Sequence, residues 1–188
     1  MKKTKTTIKS KAKKAPKKAA AKTTKKATAA KAAKSQVEVG RAVPAFSLPS
    51  TGGKTVLSQM LKGKAIVLYF YPRDATPGCT LEGHDFSKLN GEFKSAGAQV
   101  FGVSRDSMKS HEKFKDCEQY SIDLLSDEDE TVCHMFGVIK MKNMYGKKVR
   151  GIERSTFVID RDGQLAKEWR GVKVPGHAAA VLDFVKTL

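Results

Sequence analysis

The sequence contains little of what usually reveals a function at once. Only three of its 188 residues are cysteines, widely spaced, and none forms a Cys-x-x-Cys pair. This count disfavours both the disulfide framework of a small secreted protein and a thioredoxin-type dithiol, so a reducing compartment fits better. No apolar run reaches the ~18 residues that a membrane-spanning helix needs. The sequence therefore predicts a protein that does not cross a membrane.

Signals for a bound metal or cofactor are also missing. No glycine-rich phosphate-binding loop is present, and the histidines lack the spacing of metal ligands. We therefore predict no metal and no cofactor, and interpret the four histidines as structural or surface residues: His84, His111, His134 and His177.

Acidic and aromatic residues are absent from residues 1–36, which contain 14 lysines. The net charge of the whole chain is +17, so about +3 remains for residues 37–188. A segment with so little to bury is predicted to be disordered. We therefore predict two parts: a basic tail over 1–36 and a folded domain over 37–188.

The lysine clusters of this tail resemble those of linker histones and basic nucleoid proteins. A flexible chain with this charge is expected to bind DNA or RNA without sequence specificity at low salt. A solubilising tail is the alternative. The tail lacks the apolar core of a secretory signal, and its lack of arginine disfavours a mitochondrial address. We expect a cytoplasmic location, with nucleoid association, or a nuclear location in a eukaryote, left open.

One stretch in the folded part combines a buried strand with a cysteine. Residues 65–71 form a continuous apolar run, typical of a strand covered on both faces, and Pro72 ends it. After a short loop, Cys79 begins a segment with helical spacing of apolar residues. A helix N-terminus favours an anion, so this cysteine is expected to be rich in thiolate.

The residues before Cys79 fit a reactive thiol. Thr76 offers a hydroxyl that can bond the sulfur, Pro77 suits a helix start, and Gly78 allows close approach of the backbone. A buried, inert cysteine at the start of a helix is the alternative, since free cysteine often behaves as a small apolar residue.

The pattern Pro72-x-x-x-Thr76-x-x-Cys79 resembles the PxxxTxxC motif of the peroxiredoxins. The wider segment YFYPRDATPGCTLEG is similar to the bacterioferritin-comigratory (Q-type) subfamily, and the likeness extends from about Val37 to Leu188. Further matches are GVSRDS at 102–107, LLSDED at 124–129, NMYG at 143–146 and RSTFVID at 154–160.

This resemblance implies a thioredoxin-like α/β fold, a central mixed sheet flanked by helices. It also implies a cysteine-dependent peroxidase that reduces hydrogen peroxide and organic hydroperoxides, with thioredoxin as its reductant. Cys79 would be the peroxidatic residue, oxidised to a sulfenic acid. Thr76, Pro72 and Arg154 would complete the catalytic site, and the subfamily favours a monomer.

The resemblance leaves the resolving cysteine open. Many Q-type members place it five residues after the first, where this chain has His84. Others carry it on the next helix, where Cys117 lies, shifted by about two residues from the family pattern. Cys133, among apolar residues, is predicted to pack in the core. Cys117 is therefore the predicted resolver, and Cys133 or an external thiol is the alternative.

Hydrophobic periodicity predicts strands alternating with helices. The predicted strands cover 40–48, 55–57, 65–71, 98–104, 123–125, 152–160 and 164–170, and the predicted helices cover 57–61, 79–96, 108–120, 128–136 and 176–188.

A competing hypothesis about function is a nucleoid-associated DNA-binding protein whose thioredoxin-like body is a redox-sensing module.

Overall fold

A computed structural model of the chain describes residues 35–61, 63–144 and 147–188. The predicted basic tail, apart from its last two residues, lies outside them, so its predicted disorder remains a prediction. The first described residues already contact the fold, because the Gln36 N–H donates to the Met135 carbonyl at 2.9 Å.

Nine strands and four α-helices make up the described part of the chain. The strands are β1 (Ser47–Ser50), β2 (Lys54–Leu57), β3 (Ala65–Phe70), β4 (Ala98–Ser104), β5 (Asp123–Ser126), β6 (Ile139–Met144), β7 (Lys147–Ile152), β8 (Ser155–Ile159) and β9 (Leu165–Arg170). The helices are α1 (Pro77–Ser95), α2 (Met108–Glu118), α3 (Thr131–Met135) and α4 (His177–Val185), with a short 3₁₀ helix at Ser58–Leu61.

Seven strands form one mixed sheet in the order β2-β1-β5-β4-β3-β8-β9. Strands β3, β4 and β5 run parallel, whereas β8 pairs antiparallel with β3 and β9 antiparallel with β8. β3 therefore lies inside the sheet between β4 and β8. The continuous apolar run that predicted a doubly covered strand has that position, and all six residues of β3 are buried.

Side chains of β3 alternate between two cores, one on each face of the sheet. Val67 and Tyr69 join a first core that contains residues of α1, α2 and α4. Ile66 and Leu68 join a second core, packed with α3 and with the segment before β1. This arrangement is the thioredoxin-like α/β sandwich that the sequence predicted, and the prediction is confirmed.

The main difference from the sequence prediction is the antiparallel hairpin β6–β7, which forms a separate two-stranded sheet. It had not been predicted. The helix predicted over 128–136 is shorter, and the strand predicted from 152 is divided, since Ile152 ends β7 and β8 begins at Ser155. Among the described residues, no helix combines the length and apolar composition needed to cross a membrane.

Candidate active site

Cys79 lies in the first turn of α1, just beyond the end of β3. Thr76 has extended backbone angles (φ −102°, ψ 144°) and caps the helix, and Pro77 is its first residue. The backbone N–H groups of Cys79 and Thr80 both donate to the Thr76 carbonyl at 2.9 Å. The sulfur is thus fixed at a helix N-terminus, where the helix dipole favours a negative charge.

The thiol is enclosed, since Cys79 is 2% exposed and belongs to the first core. This burial alone would suit the inert cysteine that the sequence left open. What distinguishes Cys79 from an inert cysteine is the charged group that reaches its sulfur.

Arg154 donates from Nη2 to Cys79 Sγ at 3.4 Å. It directly precedes β8, and the register of β8 against β3 pairs Ser155 with Phe70. Residues 75 positions apart in sequence therefore meet at the end of β3. A guanidinium held there stabilises a thiolate and any negative charge that develops beside it.

Gly78 makes this approach feasible. A Cβ atom at that position would lie 3.3 Å from Arg154 Nη2, tighter than most contacts of a Cβ. The expectation that this glycine permits a close approach is confirmed, and the approaching group is the guanidinium.

The Thr76 hydroxyl has a different partner from the one expected. It donates to the Arg73 carbonyl at 3.1 Å and forms no side-chain bond to the start of the helix. This bond orients the loop between β3 and α1. In this arrangement the hydroxyl proton is directed at the backbone, although its oxygen can still accept a hydrogen bond from another group. Pro72, half-buried, lies at the start of the same loop.

Glu82, one turn after Cys79, was not predicted as part of the site. Its Oε2 accepts from Arg154 Nη1, and the residue is 1% exposed. Burial raises the pKa of Glu82 to about 7, against the opposing effect of the Arg154 charge. Its second oxygen, Oε1, is buried without a hydrogen-bond partner in the described structure. Arg154 therefore bridges the carboxyl group and the sulfur.

Cys117 is exposed near the C-terminus of α2 and is a free thiol, as is Cys79. It lines a cavity of about 300 Å³ together with Arg73, Asp74 and Ala75 of the loop before Cys79. The candidate resolver thus shares a cavity with the loop that leads to the candidate nucleophile.

Cys133 lies on the other side of the sheet. It is fully buried (0% exposed) in the second core, and its N–H donates to Asp127 Oδ2 at 2.6 Å. Burial, reinforced by the charge of Asp127, raises the pKa of its thiol. The prediction that Cys133 packs in the core is confirmed.

The four histidines have protein partners. His84 pairs with Glu118 at 2.8 Å on the surface, and the half-buried His134 lies 3.5 Å from Glu130. His111 and His177 are buried. Burial, followed by the charge of Arg154, lowers the pKa of His177 to about 4, and its Nε2 lies 2.8 Å from the Thr156 hydroxyl.

The fold and the thiol at the helix start define a class of protein. Residues 39–168 match the model of the AhpC/TSA family, and the chain belongs to that family. Its relatives within the family are peroxiredoxins, so the chain is a thiol peroxidase. It is 52% identical to peroxiredoxin Bcp of Xanthomonas campestris over 143 residues, which cover 75% of this chain and 89% of that one. It is 45% identical to peroxiredoxin Bcp of Bacillus subtilis over 152 residues, 81% of this chain and 97% of the relative.

Solved structures agree. A structure of X. campestris peroxiredoxin Q superposes with a TM-score of 0.72 at 51% identity, covering 76% of this chain and 90% of that one. The PrxQ C47S mutant of Xylella fastidiosa gives a TM-score of 0.77 at 40% identity, with 82% and 98% covered. The resemblance to Q-type peroxiredoxins is confirmed for the folded part of the chain.

Proposed function

We propose that Cys79 is the peroxidatic residue and that its substrates are hydrogen peroxide and organic hydroperoxides. The observation that carries this proposal is the 3.4 Å contact between Arg154 Nη2 and the Cys79 sulfur. Another X. campestris structure is of a bacterioferritin comigratory protein described for its alkyl peroxide reduction activity, which supports organic hydroperoxides as substrates here.

In the proposed reaction the Cys79 thiolate attacks one peroxide oxygen. The S–O bond forms as the O–O bond breaks, the sulfur is oxidised to sulfenic acid, and the other oxygen leaves with a proton as water or an alcohol. Arg154 stabilises the charge on the departing oxygen. Thr76 orients the peroxide beside the sulfur, and Pro72 shields the loop from water.

Cys117 then resolves the sulfenic acid. Its thiolate attacks Cys79 Sγ, an intramolecular disulfide forms, and water leaves. Because Cys79 is buried in the first turn of α1 and Cys117 lies on α2, the two Cα atoms must come within ~7 Å through local opening of both helix ends. Reduced thioredoxin, a dithiol, restores both thiols by exchange.

The domain works as a monomer in the cytoplasm.

The first experiment measures peroxide consumption with thioredoxin, thioredoxin reductase and NADPH. Wild type is expected to turn over and Cys79→Ser to be inactive, while Cys133→Ser, on the other face of the sheet, keeps its turnover. Equal inactivity of wild type and Cys79→Ser would refute the peroxidase assignment of Cys79.

The second experiment identifies the resolver. After one equivalent of hydrogen peroxide, peptide mapping is expected to find a Cys79–Cys117 link, and Cys117→Ser is expected to accumulate the sulfenic acid. A Cys79–Cys133 link, or no intramolecular link, would refute the role of Cys117.

For residues 1–36, we propose non-specific binding to DNA or RNA through their 14 lysines. Retention on DNA is compared for the full chain and a variant that begins at Ser35, across a salt series. The full chain should be retained more strongly, with a steeper dependence on salt. Equal retention would remove this proposal, and with it the competing hypothesis of a nucleoid-associated redox sensor.

A further inference from the structure

A buried pair of ionisable side chains lies behind the active-site loop and has no part in the reaction described above. Asp74 belongs to the loop between β3 and α1, and His111 belongs to α2. His111 Nδ1 lies 2.9 Å from Asp74 Oδ2 and 3.1 Å from Oδ1. His111 is 0% exposed and Asp74 is also buried.

The hydrogen bonds around the imidazole define its protonation state. Nδ1 faces the Asp74 carboxylate, and Nε2 lies 3.2 Å from the Leu125 carbonyl in β5. The Tyr71 hydroxyl, 3.4 Å from Nδ1, uses its single proton on Asp74 Oδ1 at 2.8 Å. While Asp74 is ionised, each ring nitrogen faces an acceptor, and both are satisfied only if both donate. His111 is then an imidazolium.

Asp74 is correspondingly a carboxylate. Besides His111, it accepts hydrogen bonds from the Tyr71 hydroxyl and from the Ser110 hydroxyl at 2.7 Å. Although burial opposes the shift, the hydrogen bond and charge of His111 lower the pKa of Asp74. The attraction between two buried charges of opposite sign roughly offsets their loss of hydration, whereas either one left alone is strongly unfavourable.

This pair is attached to a strained loop. Ala75, the next residue, has φ of 53°, a conformation that non-glycine residues rarely adopt. Such a backbone persists only where the surroundings fix it. The contacts that fix it include the His111 pair, the Asp74 N–H, which donates to Asp106 Oδ2 at 2.9 Å, and the Thr76 hydroxyl bond described above. Thr76 is the next residue in the chain, and Cys79 follows three residues later.

We propose that His111 is a positioning residue for peroxide reduction: as a buried cation it holds Asp74, and thereby the loop that places Cys79 against Arg154. The inference rests on the proposed role of Cys79. It extends the site to α2, the helix that carries Cys117. Displacing a reacting group by about 1 Å can cost on the order of 100-fold in rate, so a device that fixes this loop matters for catalysis.

The first test reads the protonation state directly. Long-range ¹⁵N–¹H spectra of the reduced full-length chain, labelled at histidine nitrogens, are expected to show protons on both ring nitrogens of His111 under the conditions of the activity assay. A neutral tautomer would overturn the proposal. This readout is independent of peroxidase activity, so an inert Cys79 would refute the proposed function without deciding the state of His111.

The second test measures the rate constant of Cys79 oxidation by rapid quench and mass spectrometry. His111→Gln and Asp74→Asn each leave one charge unpaired, and each is expected to oxidise about 10- to 100-fold more slowly. The double variant removes both charges and is expected to recover part of the loss. His134→Gln, a histidine on α3 beyond the sheet, serves as the matched control and is expected to match wild type.

A purely structural role gives a different result. It would lower the midpoint of thermal unfolding of the single variants but leave the oxidation rate constant of the folded molecules unchanged, and that outcome would overturn the proposal. If the single variants fail to fold, the double variant decides. Oxidation at the wild-type rate without either charge would equally refute a positioning role for the pair.

Discussion

Replacing Arg154 by methionine removes the charge that reaches the Cys79 sulfur and preserves much of the side-chain volume. The guanidinium nitrogen lies 3.4 Å from Sγ. Two unit charges at that separation interact by about 5 kcal/mol at an effective dielectric constant of 20, and by about 1 kcal/mol in bulk water. Since each 1.36 kcal/mol is a factor of ten in rate, the full range spans about 10- to 5,000-fold.

Part of this energy does not appear in the rate, because the same contact also stabilises the thiolate before reaction. We therefore expect Arg154→Met to react about 100-fold more slowly with hydrogen peroxide. Arg154→Lys keeps the charge but loses the planar fork that contacts both Cys79 and Glu82, so an intermediate rate is expected.

The variant should still fold below pH 7. Removing Arg154 leaves Glu82 buried without its cation, but burial already raises the pKa of Glu82 to about 7, so the carboxyl group can take up a proton. The measurement is the second-order rate constant of Cys79 oxidation at pH 6.5, with circular dichroism to verify the fold.

Arg150→Met is the matched control, because Arg150 also pairs with a glutamate, Glu130, but at an exposed position on β7. It is expected to stay within about twofold of wild type, since surface ion pairs contribute little. An Arg154→Met variant that oxidises at nearly the wild-type rate would show that the contact with the sulfur has no part in catalysis.

Three further predictions concern stability. Cys133→Ser places a hydroxyl in the second core and is expected to cost about 1–3 kcal/mol in chemical denaturation; an unchanged free energy of unfolding would contradict its burial. Glu82, whose pKa is raised, makes the fold more stable as pH falls from about 7 to 4.5, so Glu82→Gln should lose that gain; identical pH dependence in both would refute the shift. His177, whose pKa is lowered, makes the fold less stable as pH falls from 6.5 to about 4, by up to ~1.4 kcal/mol per pH unit. His177→Gln should abolish that loss of stability. A variant whose stability depends on pH with the wild-type slope would count against the lowered pKa of His177.

The sequence predicted best those elements whose local pattern and tertiary environment agree. β4 was predicted with its observed bounds, because an apolar run flanked by Gly97 and by polar residues has few other structures available to it. The hairpin β6–β7 was missed although apolar and charged residues alternate over residues 139–142, as in a half-buried strand. No two-residue turn signal follows that alternation, and within the described part of the chain β6 pairs only with β7.

The candidate site was predictable where the family motif names its residues. Cys79 and Arg154 were both identified, but the contact between them depends on the register of β8 against β3, which no local pattern specifies. Glu82, His111 and Asp74 were not assigned to the site. A charged residue on a helix or loop is usually solvated, and only a partner distant in sequence makes its burial favourable.

The three thiols of the folded domain lie at different depths, so one alkylating reagent would report three separate motions. Cys117 is exposed and reacts from the native state; Cys79 is covered within a helix's first turn; Cys133 is enclosed in the core on the opposite face. The labelling rate of Cys79 would then measure how often that turn frays, and that of Cys133 how often the second core opens. The alkylation rates of these native cysteines thus report local opening at the active site and opening of the second core, without any introduced probe.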